Sequence, residues 1–191
     1  DLVFFVNGLP VATVELKTDF TQSLDEAIQQ YRKDRNPLTN GRPEPLLSFG
    51  HRALVHFAVS NDLAAMTTRL EGEKTHFLPF NTGSNGPGQP GGAGNPEPTA
   101  HGTYATSYLW EKVWQRDNWL DLLQRFVHQQ KHKTPGGGTT KSTIFPRFHQ
   151  WDVVRKLTAH ASVHGAGQNY LIMASAGSGK SNTIGWLAHR L

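Results

Sequence analysis

The chain lacks several features that would assign it to a particular class of protein. It contains no cysteine, which excludes disulfide-stabilised folds and cysteine-ligated zinc sites. Charged residues make up only 18% of the sequence, below the ~25% of typical soluble domains. No apolar run approaches the ~20 residues of a membrane-spanning helix, and no signal peptide is recognisable. These absences favour a cytoplasmic location.

The residues that are present suffice for a hydrophobic core. The 191 residues are 37% hydrophobic, which suits one medium domain, or a small domain with part of another. The net charge of +4 favours polyanionic partners, although many ordinary soluble proteins are equally basic. Because the chain begins inside a predicted strand and ends just after a predicted helix, we expect it to be a piece of a longer protein.

Strand and helix signals alternate in the first third of the chain and predict an α/β fold. Residues 2–6 and 9–16 are β-prone and flank Asn7-Gly8, a strong hairpin signal. A capping box of serine and glutamate predicts a helix over residues 24–35. Together with a buried strand at 53–59, these elements predict one mixed sheet with the helix packed on it.

The rest of the chain shows mostly helical signals. The further predicted elements are a short edge strand at 75–80, helices within 108–114 and 119–127, a helix near 149–163, a strand at 169–173 and a helix from Lys180. Two segments rich in glycine and proline, 81–103 and 131–141, are predicted to be a mobile loop and a linker. The linker is a candidate domain boundary.

Acidic and basic residues at the end of the hairpin form the pattern of a metal-dependent nuclease. Glu15 and Lys17 are two positions apart on a strand and share a face, and Asp1 comes from the neighbouring strand. Two carboxylates can hold Mg²⁺, which activates water for phosphodiester hydrolysis, and a lysine can stabilise the attacked phosphate. Gln30 and Tyr31 on the following helix add polar groups. The alternatives are a solvated strand end and a helix that only covers the sheet.

Such a site requires the hairpin to bring Asp1 to the face of Glu15. A regular two-residue turn at Asn7-Gly8 would place Asp1 opposite Val14, on the other face of the sheet. An offset of one residue moves every side chain across the sheet. We therefore predict that Gly8 is a bulge residue, or that the loop is longer by one residue.

A second motif lies near the end of the chain, where Met173-Ala-Ser-Ala-Gly-Ser-Gly-Lys-Ser181 links a predicted strand to a predicted helix. Backbone N–H groups of such a loop and the helix N-terminus bind phosphate oxygens. Lys180 would reach the β and γ phosphates of ATP, and Ser181 would bind Mg²⁺. The residues that we assign to nucleotide binding in this motif are Gly177, Ser178, Gly179, Lys180 and Ser181. Ala174 replaces the usual first glycine, and a glycine-rich turn without nucleotide is the alternative.

Several segments, in the expected order, resemble the restriction (motor) subunit of type I restriction endonucleases. They are Glu15-Leu-Lys17, Ala27–Arg35, Tyr108–Trp114, Phe145–Arg155 and Tyr170–Leu191. The resemblance implies a mixed-sheet, restriction-endonuclease-like domain of the PD-(D/E)xK type, joined to a superfamily 2 helicase with a RecA-like motor domain. It also implies that Asp1, Glu15 and Lys17 are nuclease residues and that Gln150 reads adenine.

One feature departs from the pattern of this family. Its nuclease helix carries a Gln-x-x-x-Tyr pattern, whereas Ala27 stands four residues before Tyr31 in this chain. Either Gln29 or Gln30 is left to fill the role of that glutamine.

The resemblance further implies the organisation and the function of the chain. Residues 1–130 would form the nuclease domain, 131–143 a linker, and 144–191 the start of the motor domain. The family cleaves double-stranded DNA with Mg²⁺, translocates on it with ATP, and assembles with specificity and methyltransferase subunits. The alternatives are a translocase whose nuclease-like domain is an inactive scaffold, and a helicase with an unrelated β-rich extension. We expect these 191 residues alone to be poorly active.

Overall fold

The computed structural model describes residues 1–18, 23–100 and 102–191 of the chain. Its strands are β1 (Leu2–Val6), β2 (Leu9–Leu16), β3 (Leu38–Thr39), β4 (Arg42–Pro43), β5 (Val55–Val59), β6 (Ala64–Thr67), β7 (Leu78–Pro79), β8 (His128–Lys133) and β9 (Thr139–Ile144). Its helices are α1 (Leu24–Lys33), a short π-helix (Leu109–Val113), α2 (Arg116–Arg125), α3 (Phe148–His164) and α4 (Lys180–Ala188). No helix in these described residues is both long and apolar enough to cross a membrane.

Five of the strands form one mixed sheet in the order β1-β2-β5-β6-β7. β2 and β5 pair in parallel, and α1 connects them, so the three elements form a βαβ unit. The other neighbours in the sheet are antiparallel. The predicted α/β fold, with a mixed sheet that holds the hairpin and the strand at 53–59, is therefore confirmed. β7 lies at the edge of the sheet, as predicted for residues 75–80.

The turn of the first hairpin differs from the prediction. Asn7 and Gly8 both have positive φ, and Val6 pairs with Leu9, so the loop is a regular two-residue turn. The prediction that Gly8 is a bulge residue was therefore wrong. The tight turn forms because asparagine and glycine tolerate the left-handed conformation at both of its central positions.

A β-bulge further along the hairpin supplies the offset that the turn does not. The register shifts by one residue between Phe4 and Phe5, and Val11 on β2 is the extra residue. The shifted register continues to the start of β1 and brings Asp1 opposite Glu15. Both carboxylates therefore lie on one face of the sheet.

Helices cover both faces of the sheet. On the face of the carboxylates, α1 packs through Ala27 and Tyr31 against Ala58 of β5 and against Leu70. On the other face, a larger hydrophobic cluster joins the sheet to the π-helix, α2, α3 and α4. Because both faces are covered, all five residues of β5, including Phe57, are buried.

The segment 131–143, predicted to be a linker, forms most of a second hairpin. β8 and β9 pair antiparallel along their whole lengths. The hairpin was not predicted because β8 is fully exposed and polar, so it has no apolar periodicity, whereas backbone pairing between strands needs none. The role of this segment as a linker stays a prediction. The core continues past this hairpin into Phe145, Phe148 and Trp151. The division into domains at 1–130 and 144–191 stays a prediction.

Residues 169–173, predicted to be the first strand of the motor, do not form a strand. Leu171 and Met173 in this segment are 87% and 84% exposed. A strand needs a neighbour to satisfy its backbone N–H and C=O groups, and no strand in the described part of the chain lies alongside. The helix predicted from Lys180 does form, as α4.

Most of the other helical predictions are confirmed. The segments 108–114, 119–127 and 149–163 correspond to the π-helix, to α2, which begins earlier, and to α3. The described part of 81–103 contains no helix or strand, in agreement with the predicted loop, and its mobility stays a prediction. The β3–β4 hairpin was not predicted, although Asn40-Gly41 forms its turn with positive φ at both residues, as in the first hairpin.

Candidate functional site

Asp1 and Glu15 are joined by an arginine that the sequence analysis did not assign to the site. Arg35, just beyond the end of α1, donates from Nε to Glu15 Oε1 (2.5 Å) and from Nη2 to Asp1 Oδ2 (2.8 Å). Pairing with Glu15 raises the pKa of the Arg35 guanidinium above its ordinary value. The spacing of the sequence could have found this residue, because Arg35 follows the buried Tyr31 by four positions and Ala27 by eight.

Glu15 is the buried member of the carboxylate pair. Its side chain is 4% exposed, whereas that of Asp1 is 49% exposed. Among the residues that the structure describes, no group donates a hydrogen bond to Glu15 Oε2. A buried carboxylate oxygen without a donor is costly unless a cation compensates its charge. The oxygens of Asp1 and Glu15 therefore fit Mg²⁺, which binds carboxylates and keeps several of its waters.

Protein ligands beyond these two carboxylates are not gathered at the site. Within 1–18, 23–100 and 102–191, no group of three or more His, Cys, Asp or Glu side chains is arranged to hold a metal ion. The two carboxylates would therefore share a cation with water or with a substrate oxygen, which is a common arrangement for Mg²⁺.

Lys17 lies on the face of the sheet that carries the carboxylates, whereas Gln30 lies on α1. Lys17 lies one residue beyond β2, and its backbone N–H donates to Val59 O (2.8 Å), which continues the parallel ladder. Strand alternation places its half-buried side chain on the face of Glu15. Gln30 is a half-buried residue of α1 whose backbone carbonyl accepts from the N–H of Asp34. A catalytic role for Gln30 stays a prediction.

Tyr31 belongs to a buried hydrogen-bonded group with Thr13 and His56. Thr13 lies on β2 two positions before Glu15 and therefore on the same face of the sheet. The Tyr31 hydroxyl lies 2.7 Å from Thr13 Oγ1, which lies 2.7 Å from Nδ1 of His56. Burial raises the pKa of the Tyr31 phenol above its usual range and lowers the pKa of His56 to about 4. Tyr31 is therefore a neutral group that fixes α1 to the sheet, and its predicted catalytic role stays a prediction.

The second motif, the phosphate loop at residues 173–181, follows α3 and runs into the first turn of α4. Gly177 and Gly179 have positive φ, which favours glycine at both positions, and the amide nitrogen of the Gln150 side chain lies close against Gly179. Lys180 Nζ donates to two carbonyl oxygens of its own loop, 2.8 and 3.1 Å away. Ser181 is exposed in the first turn of α4, the end of a helix that attracts anions.

Gln150, predicted to read adenine, is buried in α3 and bonded to this loop. Its Oε1 accepts from the N–H of Arg147 (2.8 Å), and its Nε2 donates to the carbonyl oxygens of Ser178 (3.3 Å) and Gly179 (2.9 Å). The side-chain amide thus holds the loop against α3, and contact with adenine would require some of these bonds to open. The adenine-reading role stays a prediction.

Comparison with known families bears on the first of these two sites. Residues 1–75 match the family model for the N terminus of the type I restriction enzyme R protein. This region is similar to a restriction enzyme R protein. No curated protein and no solved structure matches the chain.

The R-protein-like region contains the first hairpin, α1 and β5, and with them Asp1, Glu15 and Arg35. The match therefore supports the resemblance to a restriction endonuclease subunit for the part of the chain that carries the carboxylate pair. Residues 76–191, which include the phosphate loop, lie outside it. The assignment of that loop to nucleotide binding rests on its own sequence and geometry.

The buried histidine should make the stability of the R-protein-like region depend on pH. His56 is neutral in the fold with a pKa of about 4, against an ordinary value of 6.5. Between these values the unfolded chain binds a proton that the folded chain does not. The free energy of unfolding should therefore fall as the pH drops from 6.5 to 4, by up to about 3 kcal/mol, and this contribution should be constant above pH 6.5.

Urea unfolding of the wild type and of His56→Asn between pH 4 and 7 measures this effect. We expect His56→Asn to lose the decrease in the free energy of unfolding that protonation of His56 causes between pH 6.5 and 4. The variant His189→Asn, at an exposed position, should retain this decrease. An NMR titration that finds His56 protonating near pH 6.5 would contradict the prediction.

Proposed function

We propose that this chain is part of the R protein of a type I restriction enzyme, which cleaves double-stranded DNA with Mg²⁺ and translocates on DNA with ATP. The observation that carries the nuclease part is the carboxylate pair. Asp1 and Glu15 share one face of the sheet, close enough for one guanidinium to contact both, within the region that matches the R-protein family. Lys17 follows on the same face.

Each residue of the carboxylate site has a separate task in this proposal. Asp1 and Glu15 would hold Mg²⁺, which when bound activates water and offsets negative charge on the attacked phosphate. Glu15 is nearly fully buried and provides a ligand in a fixed position, whereas Asp1 is half exposed and lies where DNA can approach. The Lys17 ammonium would attract the phosphate and stabilise the charge that develops during attack.

The ATP-dependent part of the proposal rests on the phosphate loop. Gly177, Ser178 and Gly179 precede α4 and would direct backbone N–H groups to phosphate oxygens. Lys180 would exchange the loop carbonyls that it now contacts for the β and γ phosphates of ATP. Ser181 would hold the Mg²⁺ that accompanies the nucleotide.

The proposed partners follow from the resemblance to R proteins. They are double-stranded DNA and the specificity and methyltransferase subunits of a type I restriction-modification complex. The net charge of +4 suits contact with the phosphate backbone of DNA.

A translocase with an inactive, nuclease-like scaffold is the second candidate function. The ion pairs of Arg35 favour it, because one guanidinium already pairs with both Asp1 and Glu15. In that case the three residues would hold the hairpin to α1, and DNA would be moved without being cut.

Substitution of Lys17 separates the two candidates. In the full R protein with its partner subunits, we expect Lys17→Ala to lower DNA cleavage about a hundredfold, because one charge-stabilising group is lost, while ATP hydrolysis is unchanged. Lys33→Ala, at an exposed position of α1, removes the same charge and should change neither activity. Lys180→Ala should abolish ATP hydrolysis and, with it, cleavage. Normal cleavage by Lys17→Ala would show that Lys17 is not part of the cutting site, and a wild type that hydrolyses ATP without cutting DNA would favour the scaffold.

A further inference from the structure

The position of Arg35 has a consequence for how the carboxylate site takes up a cation. Its guanidinium uses two different nitrogens for two different carboxylates, so Asp1 and Glu15 share a single positive charge. The oxygens that it occupies are Glu15 Oε1 and Asp1 Oδ2. Arg35 does not bond to Glu15 Oε2, which is buried and has no donor in the described residues.

A divalent cation on the oxygens that Arg35 occupies would conflict with the arginine. Mg²⁺ or Mn²⁺ binds carboxylate oxygens at about 2.1 Å, so a cation on either occupied oxygen would lie within about 5 Å of the guanidinium nitrogens. Repulsion between a double and a single positive charge at that distance opposes simultaneous occupancy. The Arg35 side chain is 36% exposed and lies beyond the end of α1, so it is able to leave towards solvent.

We propose that Arg35 is a built-in competitor that occupies the carboxylate pair in the absence of metal and must be displaced for a divalent cation to bind. The arginine stabilises the buried charge of Glu15 in the metal-free protein, where that charge would otherwise be uncompensated. It also sets the cation concentration at which the site fills. This inference rests on the proposed function only in taking Asp1 and Glu15 as cation ligands.

Mn²⁺ binding to the full chain tests the competition directly. The free Mn²⁺ signal in electron paramagnetic resonance, recorded at low ionic strength, gives the dissociation constant for the wild type and for Arg35→Gln. We expect Arg35→Gln to bind Mn²⁺ at least about tenfold more tightly, a factor that corresponds to about 1.4 kcal/mol. We also expect saturating Mn²⁺ to raise the melting temperature of Arg35→Gln by more than that of the wild type, because the cation compensates a carboxylate that the variant leaves unpaired.

Two further variants test whether Mn²⁺ binds through Glu15 and whether the gain in affinity comes from the loss of Arg35 itself. Lys33→Gln removes the same charge from an exposed position of α1 and should bind Mn²⁺ like the wild type. The double variant Arg35→Gln/Glu15→Gln should lose the gain in affinity. If circular dichroism shows that Arg35→Gln is unfolded, Arg35→Lys replaces it. The lysine keeps the charge but lacks the planar fork, so we expect its affinity to lie between those of the wild type and of the glutamine variant.

The outcomes distinguish this inference from the proposed function. If the wild type binds Mn²⁺ through Glu15 but Arg35→Gln binds it equally or more weakly, Arg35 orients the carboxylates and the competition is overturned, while the cation site stands. If neither protein binds Mn²⁺ through Glu15, both the competition and the proposed metal-dependent cleavage are overturned.

Discussion

Replacement of Glu15 by glutamine is expected to lower DNA cleavage by the proposed R protein complex at least about a thousandfold, which corresponds to about 4 kcal/mol of lost transition-state stabilisation. Glu15 supplies the buried carboxylate of the proposed cation site, with one oxygen that has no donor in the described residues. Glutamine keeps the shape and an acceptor for Arg35 but removes the negative charge that holds Mg²⁺. Single-turnover cleavage of a DNA substrate that carries the recognition site gives the measurement.

Two controls make the result specific. Glu73→Gln, at an exposed position of the R-protein-like region, should cleave like the wild type. ATP hydrolysis by Glu15→Gln should be unchanged, because the phosphate loop lies in a different part of the chain. Cleavage at the wild-type rate by Glu15→Gln would show that this carboxylate does not hold the catalytic metal.

Replacement of Phe57 by alanine is expected to lower the free energy of unfolding by about 3–5 kcal/mol. Phe57 is fully buried in the centre of the sheet. Its ring centroid lies 5.3 Å from that of Phe80, 5.6 Å from that of Trp114 and 5.8 Å from that of Phe145. A cavity at this position therefore removes contacts to the sheet, to the π-helix segment and to the chain that follows the second hairpin.

Urea unfolding followed by both circular dichroism and tryptophan fluorescence measures the effect. Phe5→Ala makes the same chemical change at a position that is 61% exposed, and it should cost less than about 1 kcal/mol. We expect both probes to shift together in Phe57→Ala, because one core spans the segments on either side of residues 131–143. Two separate transitions, with only one of them shifted, would show that the segments unfold independently.

Local sequence signals predicted much of the fold correctly. Asn7-Gly8 marks a turn because both residues tolerate positive φ, and the capping box before α1 is formed by the Ser23 N–H, which donates to Glu26 Oε2 (2.6 Å). The apolar run that contains β5 predicts a strand covered on both faces. Each of these signals depends on neighbours in the chain, so no knowledge of distant contacts is needed.

Elements that depend on distant partners were predicted less well. The strand expected at 169–173 has the composition of a buried strand, but it has no neighbour to pair with in the described residues. β8 and β9 have the composition of a linker, yet they pair with each other, and Thr68 Oγ1 donates to Thr143 O (2.9 Å), which fastens β9 beside the sheet. Composition describes what a segment can bury, whereas pairing depends on what lies beside it.

For the carboxylate site, the residue types and the strand alternation that places Glu15 and Lys17 on one face could be predicted from neighbouring residues in the chain. The same alternation predicted that a regular two-residue turn alone would leave Asp1 on the wrong face. The position of the bulge at Val11 depends on the folded sheet, because a bulge forms where both strands can bury their apolar faces together. The contact of Arg35 with both carboxylates depends on the fold as well, since Arg35 lies 34 positions from Asp1 and 20 from Glu15 in the chain. That contact exists because α1 packs across the sheet and ends beside them.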